Sequence, residues 1–93
     1  MQSSVNYLNK AAAIQEERGK DYDTDSGERS MAAVVAAFND LFNQDMTETQ
    51  GWQFMVLLKM KRLNTALRHH EDSALDQVSY SALAAESSAR NNG

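Results

Sequence analysis

Two basic residues in the second half of the chain, Lys59 and Arg62, have the type and spacing expected of an anion-binding pair. On a helical wheel Lys59 falls within about 20° of Trp52 and Arg62 lies beside it, so both should face inward. Cations on the inner side of a helix need a carboxylate, a carbonyl or an anionic ligand, because burying an unpaired charge costs several kcal/mol. The functional interpretation of this sequence therefore depends on the groups that Lys59 and Arg62 contact.

Other residues complete a candidate site for a small anion. Arg18 falls one turn beyond Ile14 on the apolar stripe of the first predicted helix, so its guanidinium should emerge at the edge of the core. Guanidinium and ammonium groups near aromatic rings suit ligands that carry phosphate groups and a planar base. We predict that six residues bind a nucleotide-like anion: Arg18, Lys20, Tyr22, Lys59, Arg62 and Tyr80.

Two aspartates on the last predicted helix allow other interpretations of the same region. Asp72 and Asp76 lie four residues apart and share a helical face. They could pair with Lys59 and Arg62 across a helix interface, or they could contribute to a divalent metal site. At this stage ligand binding and internal ion pairing both remain open.

Two further metal motifs are weak. Aspartates alternate in the loop at residues 20–28, but Ser26 and Ala32 stand at the sixth and twelfth positions, where a calcium-binding loop needs Gly and Glu. His69 and His70 are adjacent, so on a helix their side chains would diverge by about 100° and would not share one ion. We interpret these histidines as cations at a helix end.

Composition predicts a small all-α domain. The chain has 93 residues, no proline, four glycines and no cysteine, which is typical of helices joined by short loops and excludes a disulfide framework. A net charge of −4 argues against general nucleic-acid binding, because such binding depends on Lys and Arg neutralising phosphates. Apolar runs such as that at residues 54–58 are far below the roughly 20 residues that span a bilayer. We therefore expect a cytoplasmic protein without membrane contact.

Hydrophobic periodicity divides the chain into four helices within a single domain, 1–93. The predicted helices are 4–18, 30–43, 48–69 and 73–89, with a capping box at the start of the third. The second helix has an unbroken apolar stripe and is predicted to be a core helix. The last helix carries apolar or aromatic residues on two of its faces. We expect the face with Tyr80 and Leu83 to contact a ligand or a second subunit. Because 93 residues is near the lower limit for a self-sufficient core, we also expect a homo-oligomer.

The residues also resemble a known group of proteins. The segments ERGKDYD, GERSM, TETQGWQFMVLLKMKR and HEDSALDQVSYSALAAE, together spanning residues 16–86, resemble a family of small phage and prophage proteins of uncharacterised function. That family is in turn similar to the MazG-like all-alpha nucleotide pyrophosphohydrolases, which bind magnesium through E–x–x–E and E–x–x–D pairs. Asp72 and Asp76 resemble the second pair, although they lie four residues apart, whereas Glu16 and Glu17 are adjacent and do not match the first.

The resemblance implies a phage or prophage accessory protein in the cytoplasm of the host cell. We expect it to act by binding, either of a nucleotide-like anion or of a host protein, with a role in counter-defence or nucleotide metabolism. The alternative is a metal-dependent MazG-like hydrolase, and only this alternative requires a cofactor, Mg²⁺. The missing acidic pair favours binding over catalysis, and the sequence leaves the question of enzymatic activity open.

Overall fold

The computed structural model describes residues 2–21 and 30–92, with side chains over 2–18 and 30–90. These residues form four helices: α1 (Ser4–Asp21), α2 (Ser30–Phe42), α3 (Glu48–Thr65) and α4 (Glu71–Asn92). Within the described residues there is no strand, which confirms the predicted all-α class. None of the helices in these segments is both long and apolar enough to cross a membrane.

The last helix, α4, lies at the centre of the domain. It packs against α3 over the largest interface and against α1 over a smaller one, while α2 packs against α3, so the spatial order is α1, α4, α3, α2. Three serines on α4, Ser73, Ser79 and Ser87, are 0–2% exposed. Their small side chains allow neighbouring helices to approach closely.

Polar contacts fix α4 between its two neighbours. From α1, the Gln15 side-chain amide donates to the carbonyl oxygen of Ser79 at 3.1 Å and to its hydroxyl oxygen at 2.8 Å. From α3, the Thr49 hydroxyl lies 2.9 Å from the hydroxyl of Ser87. These bonds give hydrogen-bond partners to polar groups that are buried away from water. They therefore fix the position of α4 relative to α1 and α3.

The main apolar cluster consists of Trp52, Leu83 and Ala84, with Met31 and Tyr80 packed against it. Trp52 is 3% exposed, and its ring stacks on that of Tyr80 at a centroid distance of 5.6 Å. The expectation that the Tyr80 and Leu83 face contacts a ligand or a second subunit is therefore wrong for Leu83, which is buried in the core. The physical reason is that α4 is the central helix, so α3 covers this face.

The start of α3 agrees with the predicted capping box. The backbone N–H of Gln50 donates to the Thr47 hydroxyl at 3.0 Å, and the backbone N–H of Thr47 donates to the Gln50 side-chain oxygen at 2.9 Å. The end of α3 lies at Thr65, earlier than the predicted residue 69. Near this end Asn64 and Thr65 donate side-chain hydrogen bonds to backbone carbonyl groups of the preceding turn. Such side-chain bonds compete with the backbone hydrogen bonds that would continue the helix.

Because α3 ends early, the two histidines lie in the connection to α4 and do not end a helix. His70 instead caps the start of α4: its carbonyl accepts from the N–H of Ala74 at 3.1 Å, and its Nδ1 accepts from the N–H of Ser73 at 3.2 Å. The helix therefore begins at Glu71, two residues before the predicted start at residue 73. At the other end of the chain, α1 continues through Gly19 to Asp21 and does not stop at the predicted residue 18.

The second helix is less buried than a core helix. Only Val35 among its residues is buried, whereas Leu41 is 76% and Phe42 is 62% exposed. At the crossing with α3, a Cβ atom on Gly51 would lie 2.6 Å from Sδ of Met31 and 2.7 Å from Cγ2 of Val35. Glycine therefore permits the close approach of the two helices, while most of the predicted apolar stripe of α2 faces outward.

A tight connection sets the direction of α2 relative to α3. Asn43 adopts a left-handed conformation with φ of 53°, which asparagine tolerates better than most residues. The Asn39 side chain then bridges the connection, because its amide donates to the Met46 carbonyl at 2.9 Å and its oxygen accepts from the Met46 N–H at 2.8 Å. The exposed orientation of α2 is thus held by specific hydrogen bonds.

Candidate functional site

The carboxylate of Asp76 joins three helices. Nζ of Lys59, on α3, lies 3.1 Å from Oδ2 of Asp76, and a terminal nitrogen of Arg18, on α1, lies 3.6 Å from Oδ1. The side chains of Lys59 and Asp76 are only 12% and 15% exposed, whereas that of Arg18 is 42% exposed. We refer to Arg18, Lys59 and Asp76 as the Asp76 site.

The local sequence explains why these groups meet. Lys59 follows Trp52 by two helical turns on α3, so its aliphatic stem extends along the stripe that packs on α4. Asp76 precedes Tyr80 by one turn on α4, and Tyr80 is the residue that stacks on Trp52. Along their helices, Lys59 lies two turns and Asp76 one turn from the aromatic contact that joins α3 and α4.

Arg62 and Asp72 do not join this site. Both side chains are exposed, and within the described residues neither forms an ion pair. The expectation that Arg62 faces inward is wrong, because a residue three positions after Lys59 is rotated by about 60° around the helix. The predicted pairing across the interface therefore forms for Lys59 with Asp76 and not for Arg62 with Asp72.

The other predicted ligand-binding residues fall into two groups. Tyr80 is half-buried and one turn from Asp76, and one of its faces is occupied by Trp52. The side chain of Lys20 and the whole of Tyr22 lie outside the described residues. The structure thus brings Arg18, Lys59 and Tyr80 to one region of α4.

The acidic residues suggested for metal binding are not grouped. Across residues 2–21 and 30–92, no three His, Asp or Glu side chains lie together in a way that would hold a metal ion. The Asp76 carboxylate already faces two cations, and Asp72 is exposed to solvent. A site for Mg²⁺ needs several oxygen ligands converging on one position, and these residues do not fit that requirement.

A second polar cluster, which the sequence did not indicate, surrounds Glu71 at the start of α4. Its Oε2 accepts from the Gln2 amide at 2.7 Å, and its Oε1 accepts from the Tyr7 hydroxyl at 3.0 Å. Nε2 of His69 lies 2.9 Å from Oε1, and Nζ of Lys10 lies 3.7 Å from Oε2. We call these residues the Glu71 cluster.

Hydrogen bonding gives Glu71 an unusually low pKa. The bond from His69 contributes most, followed by that from Gln2, and together with Tyr7 and Lys10 they outweigh the opposing effect of desolvation and lower the pKa of the Glu71 carboxyl to about 2. Conversely, the bond to Glu71 raises the pKa of the Tyr7 hydroxyl. Both carboxylate oxygens of Glu71 thus accept hydrogen bonds from the same chain, and the cluster joins the start of α1 to the start of α4.

The fold and the Asp76 site define a small all-α domain whose central helix carries a carboxylate flanked by two cations. The chain belongs to the family described as Domain of unknown function (DUF6378), whose model matches residues 6–88. The matched range contains all three residues of the Asp76 site. No curated protein and no solved structure was found to match the chain.

Proposed function

We propose that this protein is a binding protein for a nucleotide-like anion, of the phage or prophage accessory type, acting in the host cytoplasm. The observation that carries the proposal is the stoichiometry of the Asp76 site: two cations, Arg18 and Lys59, face one carboxylate. Among the described side chains, the junction of the three helices therefore has one more positive charge than negative charge. An anionic ligand would supply the balancing negative charge.

The two cations have different roles in this proposal. Lys59 is largely buried and close to Asp76, so it keeps the carboxylate paired. Arg18 is more exposed and its nitrogen is 3.6 Å from the carboxylate, which is longer than a strong charge-assisted hydrogen bond. The guanidinium of Arg18 can therefore turn to a phosphate group and donate two parallel hydrogen bonds, while Lys59 continues to neutralise Asp76.

Residues next to Arg18 and Asp76 complete the proposed site. From the sequence alone, Lys20 and Tyr22, which follow Arg18 and lie outside the described side chains, are proposed as a third cation and an aromatic ring. Tyr80 lies one turn from Asp76 on α4 and would contact the same ligand with its free edge. Arg62 lies on a different surface of α3 and is not part of this proposal.

The MazG-like resemblance supports a nucleotide as the class of ligand, since those enzymes act on nucleotides. It supports hydrolysis less well, because magnesium-assisted hydrolysis needs several converging carboxylates and the described residues do not provide them. Binding of a host protein through the face with Tyr80 and Leu83 is not retained, because Leu83 is buried in the core.

A thermal-shift screen tests the proposal. Nucleoside mono-, di- and triphosphates and inorganic pyrophosphate would each be added to the purified protein without metal. We expect at least one of them to raise Tm, and we expect Arg18→Ala to abolish that rise. Lys61→Ala is the matched control, since it removes an exposed cation on α3 and should leave the ligand-dependent rise unchanged.

Two outcomes would count against the proposal. If no member of the panel changes Tm of the wild-type protein, the Asp76 site is an internal ion-pair network and nothing more. If the same panel incubated with Mg²⁺ releases pyrophosphate, the protein is a hydrolase and the alternative interpretation replaces binding.

A further inference from the structure

A continuous apolar surface remains uncovered on α2 and α3. We define the apolar face by six side chains that are each 36–76% exposed: Val34, Phe38, Leu41, Phe42, Phe54 and Leu57. The members are neighbours, since the rings of Phe38 and Phe42 lie 5.1 Å apart and Phe38, Phe54 and Leu57 line one groove between the helices. Val34 and Leu41 lie one turn before and one turn after Phe38 on α2, so the six residues form one patch.

The origin of the apolar face lies in the position of α2. This helix is the richest of the four in apolar residues, yet it packs on α3 alone among the described helices and buries only Val35. An amphipathic helix derives most of its stability from burying its apolar side, so α2 lacks most of that stabilisation within one chain. A partner that covers the apolar face would supply it.

The exposed area suits a dimer of ordinary size. The exposed fractions of the six side chains correspond to roughly 600 Å² of apolar surface, compared with about 800 Å² per partner in a standard protein interface. Monomeric proteins seldom leave so large a patch open to water. Backbone and polar atoms at the margin of the apolar face would add to this area. The total per chain would then reach the size of one side of a specific interface.

The shape of the apolar face favours a second copy as its occupant. The face contains a groove of about 260 Å³, lined entirely by apolar atoms that include those of Met31, Phe54 and Met55. It also contains two side chains that project into solvent, Leu41 and Phe42, one turn beyond Phe38 on α2. In a two-fold arrangement the projecting side chains of each copy can enter the groove of the other, which is the self-complementarity that such dimers require.

We infer that the apolar face of α2 and α3 is the interface of a symmetric homodimer. The Asp76 site lies on the other side of α3, between α3, α4 and α1, so dimer formation leaves it accessible. This inference does not depend on the proposed ligand. The small size of the chain predicts a homo-oligomer, and this inference states which surface forms its interface.

Light scattering coupled to gel filtration tests the dimer. We expect the wild-type protein to have twice the 10.4-kDa mass of the chain, and we expect Leu41→Asp to elute at the mass of one chain, because a carboxylate would be placed in the interface. Leu67→Asp is the matched control: Leu67 is fully exposed in the connection after α3, so this variant should remain dimeric. Circular dichroism establishes that each variant is folded.

A cross-linking experiment keeps the inference testable if Leu41→Asp fails to fold. Because the chain has no cysteine, Leu41→Cys and Leu8→Cys each introduce a single thiol. A short bismaleimide should join two copies of Leu41→Cys efficiently, but not two copies of Leu8→Cys, which lies on α1 at the far side of the domain. A wild-type protein with the mass of one chain, a folded Leu41→Asp that stays dimeric, or equal cross-linking of the two thiols would overturn the inference.

Discussion

Nζ of Lys59 lies 3.1 Å from Oδ2 of Asp76, and neither side chain is more than 15% exposed. This pair joins α3 to α4, as does the stacking of the Trp52 ring on that of Tyr80, one turn of α4 after Asp76. Removal of either side chain leaves the charge of the other in a position that solvent reaches poorly. We therefore expect substitution of Lys59 or of Asp76 to lower the stability of the protein.

We expect Lys59→Met to lower the free energy of unfolding by about 2 kcal/mol, between the values typical of exposed and of fully buried ion pairs. Asp76→Asn should have an effect of similar size, and the double variant should be less destabilised than the sum of the two single changes. Chemical denaturation of all four proteins measures these differences. Arg62→Met, on the exposed side of α3, is the control and should change stability by less than about 0.5 kcal/mol. Additive effects of Lys59→Met and Asp76→Asn would show that the two groups do not interact.

We expect Gly51→Ala to destabilise the protein by about 1–3 kcal/mol, although alanine favours helix formation by about 1 kcal/mol relative to glycine. The added Cβ would lie 2.6 Å from Sδ of Met31 and 2.7 Å from Cγ2 of Val35, so the packing of these two side chains against α3 must change. Urea unfolding measures the change. Gln53→Ala, at an exposed position of the same helix, serves as the control and should have little effect. An unchanged or increased stability of Gly51→Ala would mean that α2 is not held as closely as the structure shows.

The Glu71 cluster predicts a specific dependence of stability on pH. The pKa of the Glu71 carboxyl is about 2 in the folded protein, below its ordinary value of 4.5. At pH values between these two pKa values, the unfolded chain binds the Glu71 proton more tightly than the folded protein does. The stabilisation that Glu71 provides is therefore fully present above about pH 4.5 and is lost as the pH falls towards 2. We expect Glu71→Gln to lose less stability than the wild-type protein between about pH 6 and pH 3.

Denaturation at several pH values measures this slope. Glu16→Gln, at an exposed position on α1, is the control and should follow the wild-type slope. If Glu71→Gln and the wild-type protein lose the same stability on acidification, the hydrogen bonds from His69, Gln2 and Tyr7 do not favour the ionised carboxylate.

The cap at the start of α4 gives a further prediction. Nδ1 of His70 accepts a hydrogen bond from the backbone N–H of Ser73, so we expect His70→Ala to cost about 0.5–2 kcal/mol of stability, as loss of an N-cap does in other helices. His70→Asp should recover most of this loss, because aspartate caps helices well and its charge suits the helix N-terminus. Thermal unfolding of the three proteins measures the effect. Equal stability of His70→Ala and the wild-type protein would mean that the imidazole does not act as the cap.

The number of helices and several of their ends could be predicted from the sequence. The 3.6-residue periodicity marked each helix, and the Thr47 and Gln50 pattern located the start of α3 to the residue. These features depend on contacts within a few positions of the chain. The end of α3 was placed too late because the basic residues after Thr65 are typical of a helix terminus, whereas Asn64 and Thr65 already bond to the preceding turn.

The partners of each helix could not be predicted in the same way. Periodicity showed that α2 has an apolar stripe, but it did not show that most of this stripe lies outside the core. The Glu71 cluster joins Tyr7 to a residue 64 positions away, and no local pattern indicates such a contact. For Lys59 the sequence left an internal carboxylate and a bound anion as alternatives. The structure shows Asp76 as its partner, and a ligand at Arg18 is the proposal made above.

The most direct test of the proposed function is a two-dimensional NMR titration with the nucleotide panel. We expect one class of nucleotide to cause saturable chemical-shift changes that concentrate at Arg18, Lys59, Asp76 and Tyr80, and we expect Arg18→Ala to lose them. The absence of saturable changes with every nucleotide, or changes confined to the apolar face of α2 and α3, would contradict the assignment of the Asp76 site as a site of anion binding.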